Sequence, residues 1–258
     1  MDTPEAVTSA SVDLTLVVPA LNEEHNIEKT ILSVFHALSS CKGKIAEVLV
    51  VDDGSTDRTA AIVERLALEY PPVVLVRNPH NLGLGSSLQL AIARATGRQL
   101  LIVPGDNDMP EATLVDLIRH SGEAELVMCY FVNRELRGRM RNFISTIFGL
   151  VYTTCFDVFP QYINGPCVYP VAQLKEMRLF STRFSVVAEI NVKLMRQGVS
   201  FTEVASSRQT GMRGSSSFSI RNLFETSAIF LRLLYEVHVG HRKKYCKRPI
   251  RVAEKPTN

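Results

Sequence analysis

Over the first hundred residues, short apolar runs alternate with stretches whose apolar positions recur every three to four residues. Residues 14–20 (LTLVVPA) form a β-branched run broken by Pro19 and predict a buried strand. In LNEEHNIEKTILSVFHAL, which follows, Ile27, Ile31, Val34, Phe35 and Leu38 fall at helical spacing. Residues 45–51 (IAEVLVV) predict a second strand ending abruptly in DDGSTD, where Thr56 and Asp57 offer N-caps to a helix through Leu68. A third strand over 73–77 (VVLVR) leads through NPHNLGLG into a helix over 86–95 that Gly97 ends. QLLIVPGDND then carries a fourth strand to a polar tip.

The resulting β-α-β-α-β-α-β order, with strands apolar on both faces, predicts an α/β fold: a Rossmann-like, mostly parallel central sheet flanked by helices. In open sheets of this kind ligands bind beyond the carboxyl ends of the strands. Asn22-Glu23, Asp52-Asp53 and Asp106-Asn107-Asp108 each close one of these strands, so the topology alone brings them to one edge.

The second half is less regular. FVNRELRGRMRNFISTIFGLVYTTCF joins an arginine-rich stretch to an apolar one, and QYINGPCVYP reads as a loop with a turn at Asn164-Gly165. Residues 186–197 predict a helix, VSFTEVAS a short strand, and RQTGMRGSSSFSI a flexible, donor-rich loop. An amphipathic C-terminal helix over about 220–239 precedes the end of the chain. No repeat and no Gly/Ser linker interrupts residues 1–240, which read as a single domain.

Composition narrows the classes. At 46% hydrophobic and 21% charged residues, the chain is neither disordered nor collagen-like, and 258 residues need no disulfide framework. The absence of Trp and the scarcity of other aromatics argue against a single-strand stacking platform, and no reader motif points to nucleic acid. The five cysteines are scattered, none at zinc-ligand spacing, as expected of thiols in a reducing compartment. The acidic, polar start has no signal-peptide pattern, so a cytoplasmic location is expected.

Charge is unevenly placed. From Arg242 onward seven basic residues face Glu254 alone, a net +6 that leaves −3 for the rest of a chain totalling +3. Residues 241–258 therefore read as a flexible basic tail, either simply solvated or drawn to an anionic surface. No run approaches the ~18–20 apolar residues of a membrane span. The 220–239 helix, with Arg221, Arg232 and a basic flank, fits either a core helix or an interfacial one that would place the protein peripherally on a membrane.

Three clusters can carry chemistry. Asp106 and Asp108, one residue apart on a turn, can share a hard cation such as Mg²⁺ or Mn²⁺, which would neutralise a diphosphate. Asp52-Asp53-Gly54-Ser55 can accept hydrogen bonds from a base or ribose, or can serve as a helix-capping turn. Asn81-Leu82-Gly83-Leu84-Gly85 looks like a phosphate-cradling loop, but close packing of the helix start against the sheet is the stronger reading of its glycines.

Taken together, VVPALNEE at 17–24, VVDDGSTDRT at 50–59, NLGLGSSLQLAIARATG at 81–97 and GDND at 105–108 resemble the inverting family 2 glycosyltransferases with a GT-A fold. The second half, through GRMRNFIS, VAEINVKL, FTEVASS and MRGSSSF, is similar to the dolichol/polyprenol-phosphate mannose synthase branch. The resemblance implies a nucleotide-binding half over 13–108 and an acceptor-side half over 109–240. It implies a UDP- or GDP-linked sugar donor, a divalent metal, a polyprenol-phosphate acceptor, and contact with a membrane or a membrane-embedded partner subunit. Pro19, Leu21, Glu23 and Asp53 would line the base and ribose, Asp106 and Asp108 would hold the metal, and Asn107 would lie beside the nucleotide. Arg213 would face the donor diphosphate or the acceptor phosphate, and Arg134, Arg139 and Arg141 the acceptor phosphate.

The chain departs from that pattern at Ser217, where the branch has a Lys; at Met109-Pro110, where a Gln-His-Pro-Pro run is usual; and at Asn164-Gly165-Pro166, where Ser-Gly-Phe is usual. A phosphate acceptor is already anionic, whereas a hydroxyl acceptor needs a base. Glu189 is the residue that can act as that base, or can instead orient a nearby Arg or Lys. The competing readings are a family 2 enzyme with a soluble hydroxyl acceptor and a non-catalytic nucleotide-sugar-binding subunit.

Overall fold

Alternate residues of the first two strands bury against opposite layers, which is why both read as near-continuous apolar runs. Leu14, Leu16, Val18, Val48 and Val50 pack into one core, and Val17, Leu49 and Val51 into the other. The computed structural model describes residues 12–41, 43–133, 136, 138–207 and 220–252. Its first half follows the predicted order: β1 (Leu14–Ala20), α1 (Ile27–Ser40), β2 (Ala46–Asp52), α2 (Thr59–Glu69), β3 (Val73–Arg77), α3 (Leu84–Arg94) and β4 (Gln99–Ile102).

The chain continues through α4 (Glu111–His120), β5 (Leu126–Phe131), α5 (Arg139–Phe156), β6 (Cys167–Pro170) and α6 (Val171–Lys175). It then forms α7 (Val186–Gln197), β7 (Ser200–Ser206), α8 (Ile220–Tyr235), a π-helical turn (Glu236–Gly240) and β8 (Ile250–Arg251). The sheet order is β3-β2-β1-β4-β6-β5-β7-β8, and among the described strands only β6 runs against the rest. Because β5 lies parallel to β7 and antiparallel to β6, its carboxyl end opens on the same edge as those of β1, β2 and β4.

Two expectations are corrected. The segment read as a loop around Asn164-Gly165 does turn there, with Gly165 N–H donating to Tyr162 O, but it goes straight on into β6. The turn residues and Pro170 hide a four-residue strand whose Tyr169 is fully buried. The tail expected to be flexible from residue 241 is folded through Val252. Tyr245 is buried, and Ile250 and Val252 N–H groups bond to Val199 and Phe201 carbonyls, adding β8 to the exposed edge of β7.

The helices differ in how they are used. Along α8, Ile229 and Leu233 are buried and Phe230 and Leu234 pack on the core, while Leu231 and Tyr235 stay exposed. Along α5 only Tyr152 and Phe156 are buried. Among the described residues no helix is long and apolar enough to cross a membrane.

Candidate active site

Backbone hydrogen bonds tie the strand ends together before any side chain is considered. Asp53 N–H donates to Ala20 O at 2.9 Å, Asn78 N–H to Asp52 O at 2.8 Å, and Gly105 N–H to Pro19 O at 3.2 Å. The loops after β1 and β2 are then stitched by side chains. Asn22 N–H donates to Ser55 Oγ and Thr56 N–H to Asn22 Oδ1, both at 2.9 Å; Glu23 N–H donates to Thr59 Oγ1 at 2.8 Å. Asp57 accepts from Glu24 N–H, Thr59 N–H and the Thr59 hydroxyl; Arg58 holds the N-cap position of α2, but Asp57, one residue further out, satisfies the first helical N–H. Burial opposes the charge on Asp57, but those Thr59 and Glu24 donors outweigh it and hold the carboxyl below its ordinary range.

Pro19, Leu21, Glu23, Asp53, Asp106, Asn107 and Asp108 are thus brought to one edge of the sheet. Asn22 and Asn107 both adopt a left-handed backbone, at φ 56° each, which asparagine tolerates better than most residues. At Asn107 the bend lets Asp108 N–H reach Asp106 Oδ1 at 3.1 Å, and both aspartates stay half-buried beside an exposed Asn107. Two carboxylates on such a turn are the hard oxygen donors that Mg²⁺ or Mn²⁺ prefers, so the residues fit the ion implied for them. Among the described residues, no group of three His, Cys, Asp or Glu side chains converges to hold a metal, so water or ligand oxygens would have to complete the shell.

The second aspartate of the Asp52-Asp53 pair has a task the sequence did not reveal. Its Oδ1 accepts from Asn78 Nδ2, Leu82 N–H and Ser87 Oγ at 2.7–3.0 Å, and its Oδ2 accepts from Gly83 N–H at 2.8 Å. Asp53 therefore fastens the start of α3 to the end of β2. Asp52, fully buried, turns to Ser55 N–H and to Arg77 Nε at 3.4 Å.

The glycines of NLGLG serve packing, but against a different neighbour than the expected sheet. A Cβ on Gly83 would lie 2.4 Å from Thr182 O, and one on Gly85 2.3 Å from Ser181 O. Gly85 N–H donates to Thr182 O at 2.9 Å, so the segment before α7 lies directly on the α3 start.

That segment is held from behind by Glu189. Its carboxylate is fully buried and accepts from Phe180 N–H and Ser181 N–H at 2.9–3.1 Å and from Lys193 Nζ at 2.7 Å. Of the two roles open to it from sequence, this geometry matches the orienting one: both oxygens accept from backbone N–H groups or Lys193 and the side chain has no exposure to an acceptor. Glu225 on α8 adds a second tie, accepting from Ser181 Oγ and Ser185 Oγ at 2.8 and 2.9 Å. Arg139 and Arg141 stand exposed at the start of α5, while Arg134 and Arg213 lie outside the described residues.

Residues 15–155 match the family described as glycosyl transferase family 2, more than half of the chain. Over 150 residues the chain is 31% identical to a dolichyl-phosphate beta-glucosyltransferase of Trichomonas vaginalis, covering 54% of this chain and 46% of that one. Over 105 residues it is 30% identical to a dolichol-phosphate mannosyltransferase of Pyrococcus furiosus, covering 41% of this chain and 29% of the relative. The chain spans about half the length, or less, of these curated relatives.

Among solved structures, it superposes on mannosyl-3-phosphoglycerate synthase from Rubrobacter xylanophilus with a TM-score of 0.66 at 17% identity, covering 96% of this chain and 78% of that one. Glucosyl-3-phosphoglycerate synthase from Mycobacterium tuberculosis, in complex with Mn²⁺, UDP-glucose and phosphoglyceric acid, gives 0.59 at 19% identity, covering 88% and 80%. At these identities the likeness establishes the GT-A fold alone.

Proposed function

Because the chain belongs to glycosyl transferase family 2, we propose that it moves a sugar from a nucleoside diphosphate sugar to the phosphate of a polyprenol-type lipid, with inversion and with a divalent metal. The observation that supports the donor side is the convergence of the β1, β2 and β4 ends, where Gly105 N–H meets Pro19 O and Asp53 N–H meets Ala20 O. The activities for which the dolichyl-phosphate relatives are named support the acceptor.

The base would lie on Pro19, Leu21 and Glu23. Asp53 Oδ2, with a single donor in Gly83 N–H, can accept a second from a base N–H. Asp106 and Asp108 would hold Mg²⁺ or Mn²⁺, with Asn107 beside the nucleotide, and the ion would supply positive charge to neutralise the diphosphate. The acceptor phosphate oxygen forms a bond to the anomeric carbon as that carbon's bond to the β-phosphate oxygen breaks, and the leaving diphosphate keeps the electron pair. Arg213 would steady that charge, and Arg134, Arg139 and Arg141 would orient the acceptor phosphate, which guanidinium groups pair bidentately. An anionic acceptor needs no base, which agrees with the burial of Glu189.

Thermal shift with UDP, GDP and their sugar conjugates, in Mn²⁺ and in EDTA, tests the donor side. A ligand at about 100 times its Kd stabilises by about 2.7 kcal/mol. One nucleotide should stabilise the protein only with metal, and Asp106→Ala should abolish the shift. Transfer to a polyprenyl phosphate in preference to a soluble hydroxyl acceptor then tests the acceptor; the reverse preference overturns it.

A further inference from the structure

The side of α5 turned away from the core is apolar. Met140, Phe143, Ile144, Ile147, Leu150 and Val151 recur at helical spacing, and all are exposed, Met140 by 71%, Phe143 by 61% and Leu150 by 64%. Tyr152 and Phe156 fix the opposite side, both meeting Phe230 of α8 edge-on, with Tyr152 also stacked on Phe148. The stripe is therefore held facing outward by its own helix's anchors. A contiguous apolar face of this kind marks a surface that another phase or molecule covers.

Charge says which. Residues 139–156 contain no acidic side chain, and α5 opens with Arg139 and Arg141. At its far end His238 Nε2 lies 2.8 Å from Cys155 O and Arg248 bridges Asp157 at 3.2 Å. These contacts lay the basic segment 242–248, exposed but for the buried Tyr245, against the helix terminus. An 18-residue helix of about 27 Å is thus apolar along its length and cationic at both ends. Two copies docked through this stripe, parallel or antiparallel, would set cations against cations, which like-charge repulsion disfavours. An anionic bilayer complements both features, the acyl region taking the stripe and the headgroups the basic ends.

We infer that α5 lies flat on an anionic lipid bilayer, its outer stripe immersed and the 242–248 segment against the headgroups. The inference deepens the lipid-phosphate acceptor reading and rests on it. It also moves the apolar membrane contact expected of the C-terminal helix onto α5, while keeping the basic residues of 242–248 at the headgroups; the chain enters α5 from the carboxyl end of β5, on the same edge as the donor site.

The test is co-sedimentation of the full chain with phosphatidylcholine vesicles containing about 30% phosphatidylglycerol and no polyprenol phosphate. The unaltered protein should bind, less at high salt. Phe143→Ser/Ile147→Ser/Leu150→Ser should lower the partition coefficient by about tenfold or more, with melting temperature unchanged because these side chains touch little. The inference is overturned if the unaltered protein stays in solution, if the triple variant binds equally well, or if the substitutions dissociate a dimer instead. Transfer to a short, water-soluble polyprenyl phosphate without vesicles separates the two readings. Equal turnover by both proteins supports the acceptor whatever the vesicles show, and no turnover by either removes the acceptor reading without touching the binding result.

Discussion

Glu189 and Lys193, one turn apart on α7, form an ion pair of 2.7 Å in which neither side chain is exposed. Lys193 Nζ also donates to Arg178 O at 2.6 Å and lies 2.9 Å from Glu236 Oε2, so the cluster joins α7 to the π-helical turn after α8. Breaking a buried pair from one side costs about 3–5 kcal/mol, because the remaining charge stays in the interior. Glu189→Ala should therefore lower the melting temperature sharply, and Glu189→Gln, which keeps an oxygen for the Ser181 and Phe180 N–H groups, should lower it less. A catalytic base would show the opposite pattern: Glu189→Gln with an unchanged melting temperature and kcat reduced by two or more orders of magnitude, as loss of general-base catalysis gives. Calorimetry and steady-state kinetics on the same preparations decide it.

The contact between Gly85 and Ser181 O makes a second prediction. A Cβ at Gly85 would come within 2.3 Å of a carbonyl whose own N–H is tied to Glu189, so neither side can yield easily. Gly85→Ala should destabilise by about 1–3 kcal/mol, the usual cost of overpacking, and should weaken nucleotide binding, since the α3 start is fastened to Asp53. Gly149, in the middle of α5 with nothing within 4 Å of its added Cβ, is the control. Gly149→Ala should stabilise by about 0.5–1 kcal/mol, from helix propensity alone. Urea unfolding of the two variants gives opposite signs.

Which parts could be read from the chain follows from how local their causes are. Strands β1 to β4 and helices α1 to α3 were legible because burial on two faces, or one, writes its period directly into consecutive residues. The Asp106-Asn107-Asp108 tip was legible for the same reason: it ends a strand, and strand ends in this topology meet. Strand β5, LVMCYF, is too short and too uniformly apolar for periodicity to distinguish it from a helix segment, and turn chemistry masks β6. The task of Asp53 depends on N–H groups 29 and 30 residues away, and that of Glu189 on a segment folding back over α3. Neither leaves a local mark. Residues 241–252 looked like a solvated tail because their charge is visible in sequence, while the open edge of β7 that receives them is not.

The cysteines make a third prediction. Burial pushes the thiols of Cys129 and Cys167 up to about 12, so neither yields thiolate near neutral pH. Burial raises Cys41 as well, whereas Cys246 is exposed, its sulfur 3.3 Å from Lys243 O. Under native conditions at pH 7.5 to 8, in the ordinary range for thiol labelling, Cys246 should react first with a disulfide reagent, and Cys129 and Cys167 only after denaturation. Peptide mapping of the labelled protein checks the order. Early labelling of Cys129 would mean that the β5–β6 region opens far more readily than its packing implies.

Asp57 supplies the pH dependence. Its carboxyl sits below the ordinary range, so the folded state favours the ionised form over the unfolded state. The stabilisation is therefore complete above the unfolded value of about 4 and is lost as pH falls through the lower folded value. Asp57→Ala removes the acceptor for Thr59 N–H and Glu24 N–H, a cap that costs about 1 kcal/mol to lose, or roughly 2–4 °C in a chain of this size. That gap in melting temperature should be present at pH 7, persist to about pH 5 and narrow progressively below pH 4 as Asp57 protonates in the unaltered protein. Other carboxylates titrate in both proteins, so the difference between them, not either curve, is the readout. Because the same residue joins the loops after β1 and β2, Asp57→Ala should also raise the Kd for the nucleotide several-fold at pH 7. A gap that stays constant down to pH 2 would show that Asp57 acts through packing and not through its charge.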